Sequence, residues 1–254
     1  MALVSTTAIV LHAFKYGETS KIVRLATREH GVQSAIAKGA SRPKSRFGAR
    51  LQSLSQGTAQ LYLKPQRELQ TLAAFDVTTQ RGSLAADMQR YAAAQVVAEL
   101  MLRCAPAEPQ ATLFDQLAHI LDRLGDVAPE RVGAAGLSAV WRLVVLFGFT
   151  PSLTSCAKDG RPLGTGAAAF SVADGGFVCS RCADGRQTST LASGDRDALA
   201  NRVSGNDEIE GGLSARPGAA HRRLLARFIR HHLAEHRDLK ALDFWEALPW
   251  PATS

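Results

Sequence analysis

The chain shows two successive patterns of apolar and polar positions. In roughly the first 80 residues, short apolar runs are separated by Gly, Pro and charged residues. Runs of this length between turn signals are typical of β-strands. The pattern predicts five strands, at residues 8–14, 22–27, 32–37, 51–63 and 69–77.

Five short strands in a stretch of this size favour a small closed or partly open barrel. The five-stranded oligonucleotide-binding (OB) barrel is the leading candidate, because it is the common barrel with this strand number. A sandwich and an SH3-like barrel share the pattern and stay open at this point. We therefore predict an OB-type β-barrel in residues 1–80.

The apolar positions take helical spacing from about residue 83 onward. Ser83 is a suitable N-cap, and Leu84, Met88 and Tyr91 follow at intervals of four and three residues. Four segments rich in Pro, Gly or polar residues interrupt this region, two of them at 151–187 and 206–217. The spacing predicts a first helix ending before Pro106 and later helices at residues 112–124, 132–147, 191–203, 221–235 and 241–248.

The positive charge of the chain belongs to its amino-terminal third. Residues 1–80 contain 11 Lys and Arg against 4 Asp and Glu, whereas residues 81–254 contain 19 of each. The whole formal net charge of +7 therefore lies in the predicted barrel. Such asymmetry indicates a module for nucleic acid or an acidic surface joined to a neutral one. A generally basic protein is the alternative.

One segment, residues 38–50, concentrates this charge, and we call it the basic loop. It has five cations, Gly, Ser and Pro spacers, and no acidic residue. Unopposed charge on irregular backbone suits a polyanion, of which nucleic acid is the commonest, although a loop that serves only solubility is the alternative. The predicted phosphate-binding residues are Lys38, Arg42, Lys44, Arg46 and Arg50, with Lys15 and Arg24 on the preceding strands.

Three aromatic residues near these cations are candidates for base stacking. They are Tyr16, Phe47 and Tyr62, and Phe47 is equally suited to anchor the loop. If all five loop cations pair with phosphates of a single strand, log affinity falls with log salt at a slope of about −3.5.

Three cysteines in the middle of the chain have the spacing of metal ligands. Cys179 and Cys182 form a Cys-x-x-Cys pair, and Cys156 and Asp159 repeat that spacing upstream. The 19 residues between the two pairs are in the range of a zinc ribbon. Three thiolates and one carboxylate can hold a structural Zn²⁺, so residues 151–187 are predicted to be a zinc-finger-like insertion in a helical domain of residues 81–254. A metal-free relic of such a site and a redox pair stay open.

Signs of catalysis are confined to one short motif. His232, Glu235 and His236 match the inverted zinc-peptidase pattern His-x-x-Glu-His, but no further ligand follows nearby. Phosphate-binding Gly-rich loops and the nucleophile elbow are absent from the sequence. We therefore predict an α+β protein without enzymatic activity. The start lacks the features of a signal peptide, and no apolar run is long enough to span a membrane, which predicts a cytoplasmic protein without a membrane partner.

Several stretches of the chain together resemble one known family. Residues 7–31 and 37–45 carry the most specific likeness. Further matches lie at residues 147–156, at residues 170–182 with the Cys pair, and at the closing helix of residues 228–233 with Leu239 and Lys240. On these residues the chain resembles the RecO family of bacterial DNA repair proteins, over essentially its whole length.

The resemblance implies an OB barrel, a helical domain and a zinc-finger-like insertion. It also implies a recombination mediator that binds single- and double-stranded DNA and anneals complementary strands. With RecR, and in some pathways RecF, such a protein helps to load RecA onto strands coated by the single-strand-binding protein, whose acidic C-terminal tail it docks. Asp159 stands where the family has a Cys, and residues 239–243 lack the Ser-Arg pair that often follows Leu-Lys.

The resemblance therefore implies a DNA-binding mediator that is nucleoid-associated in the cytoplasm. An RNA-binding barrel protein of translation or RNA processing is the second hypothesis, because the basic loop alone does not distinguish the two polymers. A zinc-dependent hydrolase or redox enzyme is the third. Preference for the 2′-hydroxyl separates the first two hypotheses, and metal-dependent cleavage identifies the third.

Overall fold

The structure is a computed structural model that describes residues 2–184, 187–205, 213–234 and 238–251. The chain divides into two compact units. We call Met1–Asp87 with Val97–Asp126 the barrel unit, and Met88–Val96 with Val127–Ser254 the helical unit. Helix α1, Met88–Cys104, contributes its first half to the helical unit and its second half to the barrel unit.

Five strands in the barrel unit form a closed barrel in the order β1-β2-β3-β5-β4. All neighbours pair antiparallel except β3 and β5, whose parallel pairing closes the barrel. This arrangement confirms the predicted OB-type fold. The strands are β1 Ala2–Tyr16, β2 Ser20–Thr27, β3 Gly31–Ala37, β4 Gln56–Leu63 and β5 Leu69–Thr79.

Two strands, β1 and β4, differ most from the prediction. Strand β1 is longer than the run at residues 8–14, because its first half pairs with β4 and its second half pairs with β2. A shift in register between Val10 and His12 lets one strand serve both partners. Strand β4 begins at Gln56 rather than at residue 51, because Gly48–Leu51 forms a 3₁₀ turn.

The barrel core depends on a residue of the basic loop. Phe47 is 1% exposed and belongs to the same buried cluster as Val10, Leu25 and Phe75. Leu51, at the end of the 3₁₀ turn, joins it there. Phe47 therefore anchors the loop, and the suggestion that it stacks on bases is wrong because its ring is not accessible.

Replacing Phe47 with Ala is expected to lower the free energy of unfolding by about 3–5 kcal/mol, because it empties a fully buried aromatic site. Urea unfolding followed by circular dichroism measures this change. Phe14→Ala is the matched control, since Phe14 is 44% exposed and its loss is expected to cost no more than about 0.5 kcal/mol. Equal losses in the two variants would contradict the anchoring role.

Helix α1 begins later than its sequence pattern predicts. Gly82–Ala85 forms a 3₁₀ turn, so Ser83 is not the N-cap of the helix. The helix starts at Met88, so Leu84 precedes it and does not share a helical face with Met88 and Tyr91. These two side chains are 57% and 41% exposed and do not line a core face. Helix α2, Ala111–Asp126, follows its prediction closely, and its buried face is made of Leu113, Phe114, Leu117, Ile120, Leu121 and Leu124.

The helical unit is built around buried aromatic residues. The rings of Trp141 and Phe228 lie 5.1 Å apart, and Phe228 also contacts Phe170, 6.3 Å away. Its larger helices are α3 Val132–Leu146, α5 Ser193–Ser204, α6 Ala215–His232 and α7 Lys240–Ala247. Helix α6 begins before residue 221, because Pro217 is tolerated in a first turn. Residues 206–212 of the predicted loop lie outside the described residues.

A small sheet that the pattern did not predict has two strands in the insertion and a third just after it. Its order is β7-β6-β8, from β6 Ala168–Ser171, β7 Gly176–Val178 and β8 Thr188–Leu191. Strands of three or four residues are too short to show alternation. Gly176 is required at the start of β7, since a Cβ there would lie 2.4 Å from the carbonyl oxygen of Ser152.

The carboxyl-terminal segment covers part of α6. The guanidinium of Arg222, 2% exposed, donates to the carbonyl oxygen of Leu248 and lies over the rings of Trp245 and Trp250. Trp250 also contacts α6 at Gly218, where a Cβ would meet its indole at 2.2 Å. The returning chain thus helps to bury this charged side chain, which also donates to Gln89 on α1.

Candidate nucleic-acid interface and metal centre

The basic loop lies beside the tip of the β1–β2 hairpin. The last residue of β3, Ala37, is paired with Lys21, so the loop starts next to the hairpin tip. The backbone N–H of Ser41 then donates to the carbonyl oxygen of Thr19 at 2.8 Å. Lys15, which pairs with Lys21 across the hairpin, is exposed at the same tip. The fold therefore brings the hairpin cations and the start of the loop together.

Four of the predicted loop cations are exposed and make no ion pair with any described residue. Arg46 lies over the ring of the anchoring Phe47, with its Cζ atom 5.2 Å from the ring centre. Unpaired guanidinium and ammonium groups on an exposed loop are well suited to bind phosphates. The four residues are Lys38, Arg42, Lys44 and Arg46.

Two other cations of the barrel are already paired. Nη1 of Arg50 lies 3.1 Å from Oδ1 of Asp76 on β5. Arg28 forms a two-pronged pair with Asp115 of α2, both N···O distances being 2.9 Å. The hydrogen bonds from Arg28 hold the pKa of Asp115 below its usual range. Both Arg50 and Arg28 are thus less available to phosphates than the four exposed loop cations.

The outer face of the β1–β2 hairpin carries three ring side chains, of which the sequence analysis identified only Tyr16. Tyr16 is 50% exposed, as predicted for a stacking residue, whereas Tyr62 is half-buried. Phe14 and His12 share the face of Tyr16, and neither was singled out. The alternate positions 12, 14 and 16 are the signal that identifies them once the strand register is known.

The four predicted metal ligands come together in the helical unit. Their ligand atoms all lie within 4.8 Å of one another, with Cys156 buried and Asp159 exposed. A turn holds the first pair, closed by hydrogen bonds from the Cys156 N–H to the Arg161 carbonyl and from the Gly160 N–H to the Cys156 carbonyl. The second pair belongs to the single helical turn α4, Ser180–Ala183, which begins just after Cys179.

Hydrogen bonds at this cluster favour the charged form of two donors, Cys156 and Asp159, and the neutral thiol of a third, Cys182. Burial raises the pKa of Cys156, but backbone N–H groups of Cys179, Asp159 and Lys158 bind its sulfur and bring the pKa below its ordinary value. Hydrogen bonds from Cys156 and from the Arg161 N–H hold the pKa of Asp159 well below its usual range. Shared hydrogen bonding with Cys179 raises the pKa of Cys182 to about 12.

These residues fit a tetrahedral zinc ion. Zinc bound to sulfur at about 2.3 Å needs donor atoms about 3.8 Å apart, so the cluster has to contract by no more than about 1 Å. Asp159 is the weakest member of the set, because a carboxylate is a harder ligand than a thiolate. Arg181 also occupies one of its oxygens, at 3.3 Å, and Arg161 approaches the same oxygen at 3.6 Å.

The peptidase-like motif has no support in the described residues. The imidazole Nε2 of His232 lies 2.7 Å from the carbonyl oxygen of Val172, and its ring packs on Phe228. Burial lowers the pKa of His232. Glu235 and His236 lie outside the described residues. His232 is therefore a packing residue at the edge of the small sheet.

A cavity of about 380 Å³ lies in the helical unit between β8, α6 and α7. Leu191 and Leu224 form part of its apolar wall, and the exposed Arg223 and Arg227 are at its rim. His221, 3% exposed, also lines it, and its Nε2 lies 3.6 Å from Oδ1 of Asp195, another lining residue. Burial, with the nearby charge of Arg202, lowers the pKa of His221.

The fold and these sites define an OB-barrel protein with an appended helical unit that contains a zinc-ribbon-like cluster. The chain matches the family models described as Recombination protein O N terminal, over residues 1–81, and Recombination protein O C terminal, over residues 85–242. The chain therefore belongs to the RecO family, which assigns it to DNA repair and recombination.

Curated relatives agree with this assignment. A DNA repair protein RecO from Anaeromyxobacter dehalogenans (strain 2CP-C) is 34% identical over 252 residues, 98% of each chain. A DNA repair protein RecO from Rubrobacter xylanophilus is 34% identical over 72% of each chain. One from Bifidobacterium adolescentis is 33% identical over 71% of this chain and 74% of its own. Separately, none of the described helices is long and apolar enough to cross a membrane.

Proposed function

We propose that the protein is a non-enzymatic recombination mediator that binds single- and double-stranded DNA through the basic loop. The observation that carries this proposal is the set of four unpaired cations that Phe47 fixes beside the hairpin tip. Lys15 and the half-buried Arg24 extend the positive surface along the hairpin. Contacts of this kind bind phosphates and carry little sequence information, so both forms of DNA are substrates.

Annealing follows from the same charges. Two complementary strands repel each other through their phosphates, and cations bound between them reduce that repulsion. A protein that neutralises phosphates without recognising bases leaves the base edges free to pair. Family membership supports the further steps, in which the protein acts with RecR and RecF to load RecA on DNA coated by the single-strand-binding protein. The place of action is the nucleoid, where that DNA lies.

Two further assignments complete the proposal. A structural Zn²⁺ at Cys156, Asp159, Cys179 and Cys182 would join the two turns of the insertion. The acidic C-terminal tail of the single-strand-binding protein would dock at the cavity beside α6, because Arg223 and Arg227 at its rim complement an acidic peptide and its wall is apolar. The charge of Glu246, which also lines the cavity, is compensated by Arg230 at 2.6 Å.

Strand annealing on coated DNA tests the proposal. We expect the protein to anneal complementary strands coated by the single-strand-binding protein, and to do so poorly when the coat lacks its acidic tail. Arg223→Glu with Arg227→Glu is expected to weaken binding of the isolated tail peptide about tenfold. The same variant should anneal naked DNA normally, because its basic loop is intact.

A second pair of charge reversals is the control for this variant. Arg216→Glu with Lys240→Glu changes the net charge equally at exposed positions that do not line the cavity. Loss of tail binding in the control as well would contradict docking at the cavity. Failure of the unmodified protein to anneal either naked or coated DNA would contradict the mediator role itself, and stronger binding to RNA than to DNA would favour the RNA hypothesis.

A further inference from the structure

The β1 strand exposes three ring side chains in a row, which we call the aromatic strip: His12, Phe14 and Tyr16. Phe14 is 44% and Tyr16 50% exposed, and His12 is exposed as well. The rings of His12 and Phe14 lie 5.7 Å apart with an angle of 35° between their planes. Since alternate residues of a strand point to one side, the three rings share the outer face of the hairpin, on Cα atoms about 6.8 Å apart along the strand.

The strand register shows what lies beside the strip. Phe14 is paired with Ile22 and His12 with Arg24 on β2. The same rows continue onto β3, where Ile22 is paired with Ile36 and Arg24 with Ser34. The strip therefore borders a half-buried apolar floor that contains one cation. The Nε of Arg24 has no hydrogen-bond partner in the described residues.

The barrel core does not account for these rings. The opposite face of the same strands supplies the core, through residues such as Val10, Val23 and Ala35. Phe14 and Tyr16 thus keep large apolar surfaces in solvent on the hairpin to which the basic loop is hydrogen-bonded, through the N–H of Ser41 and the carbonyl oxygen of Thr19. The outer face of the early strands is also where OB barrels bind oligonucleotides.

We propose that the aromatic strip stacks on unpaired bases while the basic loop binds the phosphates of the same strand. This inference rests on the proposed function and adds to it the origin of a preference for single-stranded DNA. Paired bases in a duplex are stacked on one another and do not present their faces, so the strip discriminates between the two forms. The loop does not, because both forms present phosphates.

Substitution of the strip should separate the two contributions. We expect Phe14→Ala with Tyr16→Ala to lower the affinity for an oligothymidine single strand about 10- to 100-fold, because each stacked base contributes. The affinity for a duplex of equal length should change less than about twofold, and the salt slope for the single strand should stay the same, since no cation is removed. Fluorescence anisotropy of labelled DNA at several salt concentrations measures all three quantities.

Two controls keep the result specific. Leu3→Ala removes a side chain that is 55% exposed on the first half of the same strand, where β1 pairs with β4, and should leave the affinity for single strands unchanged. Phe14→Tyr with Tyr16→Phe keeps two rings and should retain the affinity of the unmodified protein. The thermal unfolding midpoint confirms that each variant is folded.

The outcomes distinguish the strip from the loop. An unchanged single-strand affinity in the double Ala variant would overturn the stacking role while the proposed function stands. An equal loss for single strand and duplex would also overturn it, because stacking is selective. If the unmodified protein binds neither form, both this inference and the proposed function are wrong.

Discussion

Replacing Lys38, Arg42, Lys44 and Arg46 with Ala together is expected to lower the affinity for single-stranded DNA by about three to four orders of magnitude at roughly 50 mM salt. Four phosphate contacts contribute about −2.8 to the slope of log affinity against log salt. If the unmodified protein and the fourfold Ala variant bind DNA equally near 1 M salt, this difference in slope produces the stated loss of affinity at low salt. Titrations from low to high salt measure the affinity and the slope together.

Arg50 sharpens this experiment because its charge is already compensated. Its ion pair with Asp76 predicts that Arg50→Ala changes the slope by less than about 0.7, the value of one full phosphate contact. The slope expected from the structure is therefore less steep than the −3.5 that five equivalent cations would produce. Asp76→Asn should make the slope steeper, toward −3.5, because it removes the ion pair of Arg50 and frees that side chain to bind a phosphate.

The turn between β4 and β5 supplies the control. Lys64 and Arg67 are cations of the same barrel, located where β4 ends beside the start of β1. Replacing both with Ala removes charge without touching the basic loop, and the slope should change little. A slope that depends on Lys64 and Arg67 and not on the loop residues would show that the phosphate site lies elsewhere on the barrel.

The metal cluster leads to the second large effect. Cys156→Ser is expected to weaken zinc binding by more than about a hundredfold, because losing a direct ligand costs more than the 10–100-fold typical of groups that only support one. Asp159→Cys should strengthen zinc binding, since a fourth thiolate is a softer ligand than a carboxylate that is paired with two arginines. Zinc content measured by mass spectrometry after dialysis against a chelator compares the variants.

Cys104 is the natural control for the cluster. It lies at the end of α1, is in no disulfide and is not among the four grouped ligands. Cys104→Ser should therefore leave the zinc content unchanged. If the unmodified protein holds no zinc and Asp159→Cys gains none, the cluster is a metal-free remnant of a ribbon.

The sequence predicted those features that depend on local pattern. The barrel follows from five short apolar runs, and the basic loop from charges that are close along the chain. The pairing of Arg50 was not predictable, since its partner Asp76 is 26 residues away. The cluster of Cys156 with Cys179 was anticipated because the spacing of zinc knuckles is itself a local signal.

The aromatic strip was missed for a different physical reason. A strand that alternates regularly lets the buried face be read from the sequence, but the irregularity between Val10 and His12 changes the phase within β1. Phe14 consequently appears to continue the apolar run that begins at Ala8, although the two residues lie on opposite sides of the sheet. Only the register with β2 reveals that Phe14 is outside.

The path of the final residues across α6 has a practical consequence. Leu248 and Trp250 cover the buried Arg222, one position before the cavity residue Arg223. An expression product trimmed after residue 247 would leave that guanidinium without its carbonyl partner and without one of the two rings against it. Proteolysis at this end would therefore disturb the helix that forms the cavity wall, even though the basic loop is some two hundred residues away in the chain.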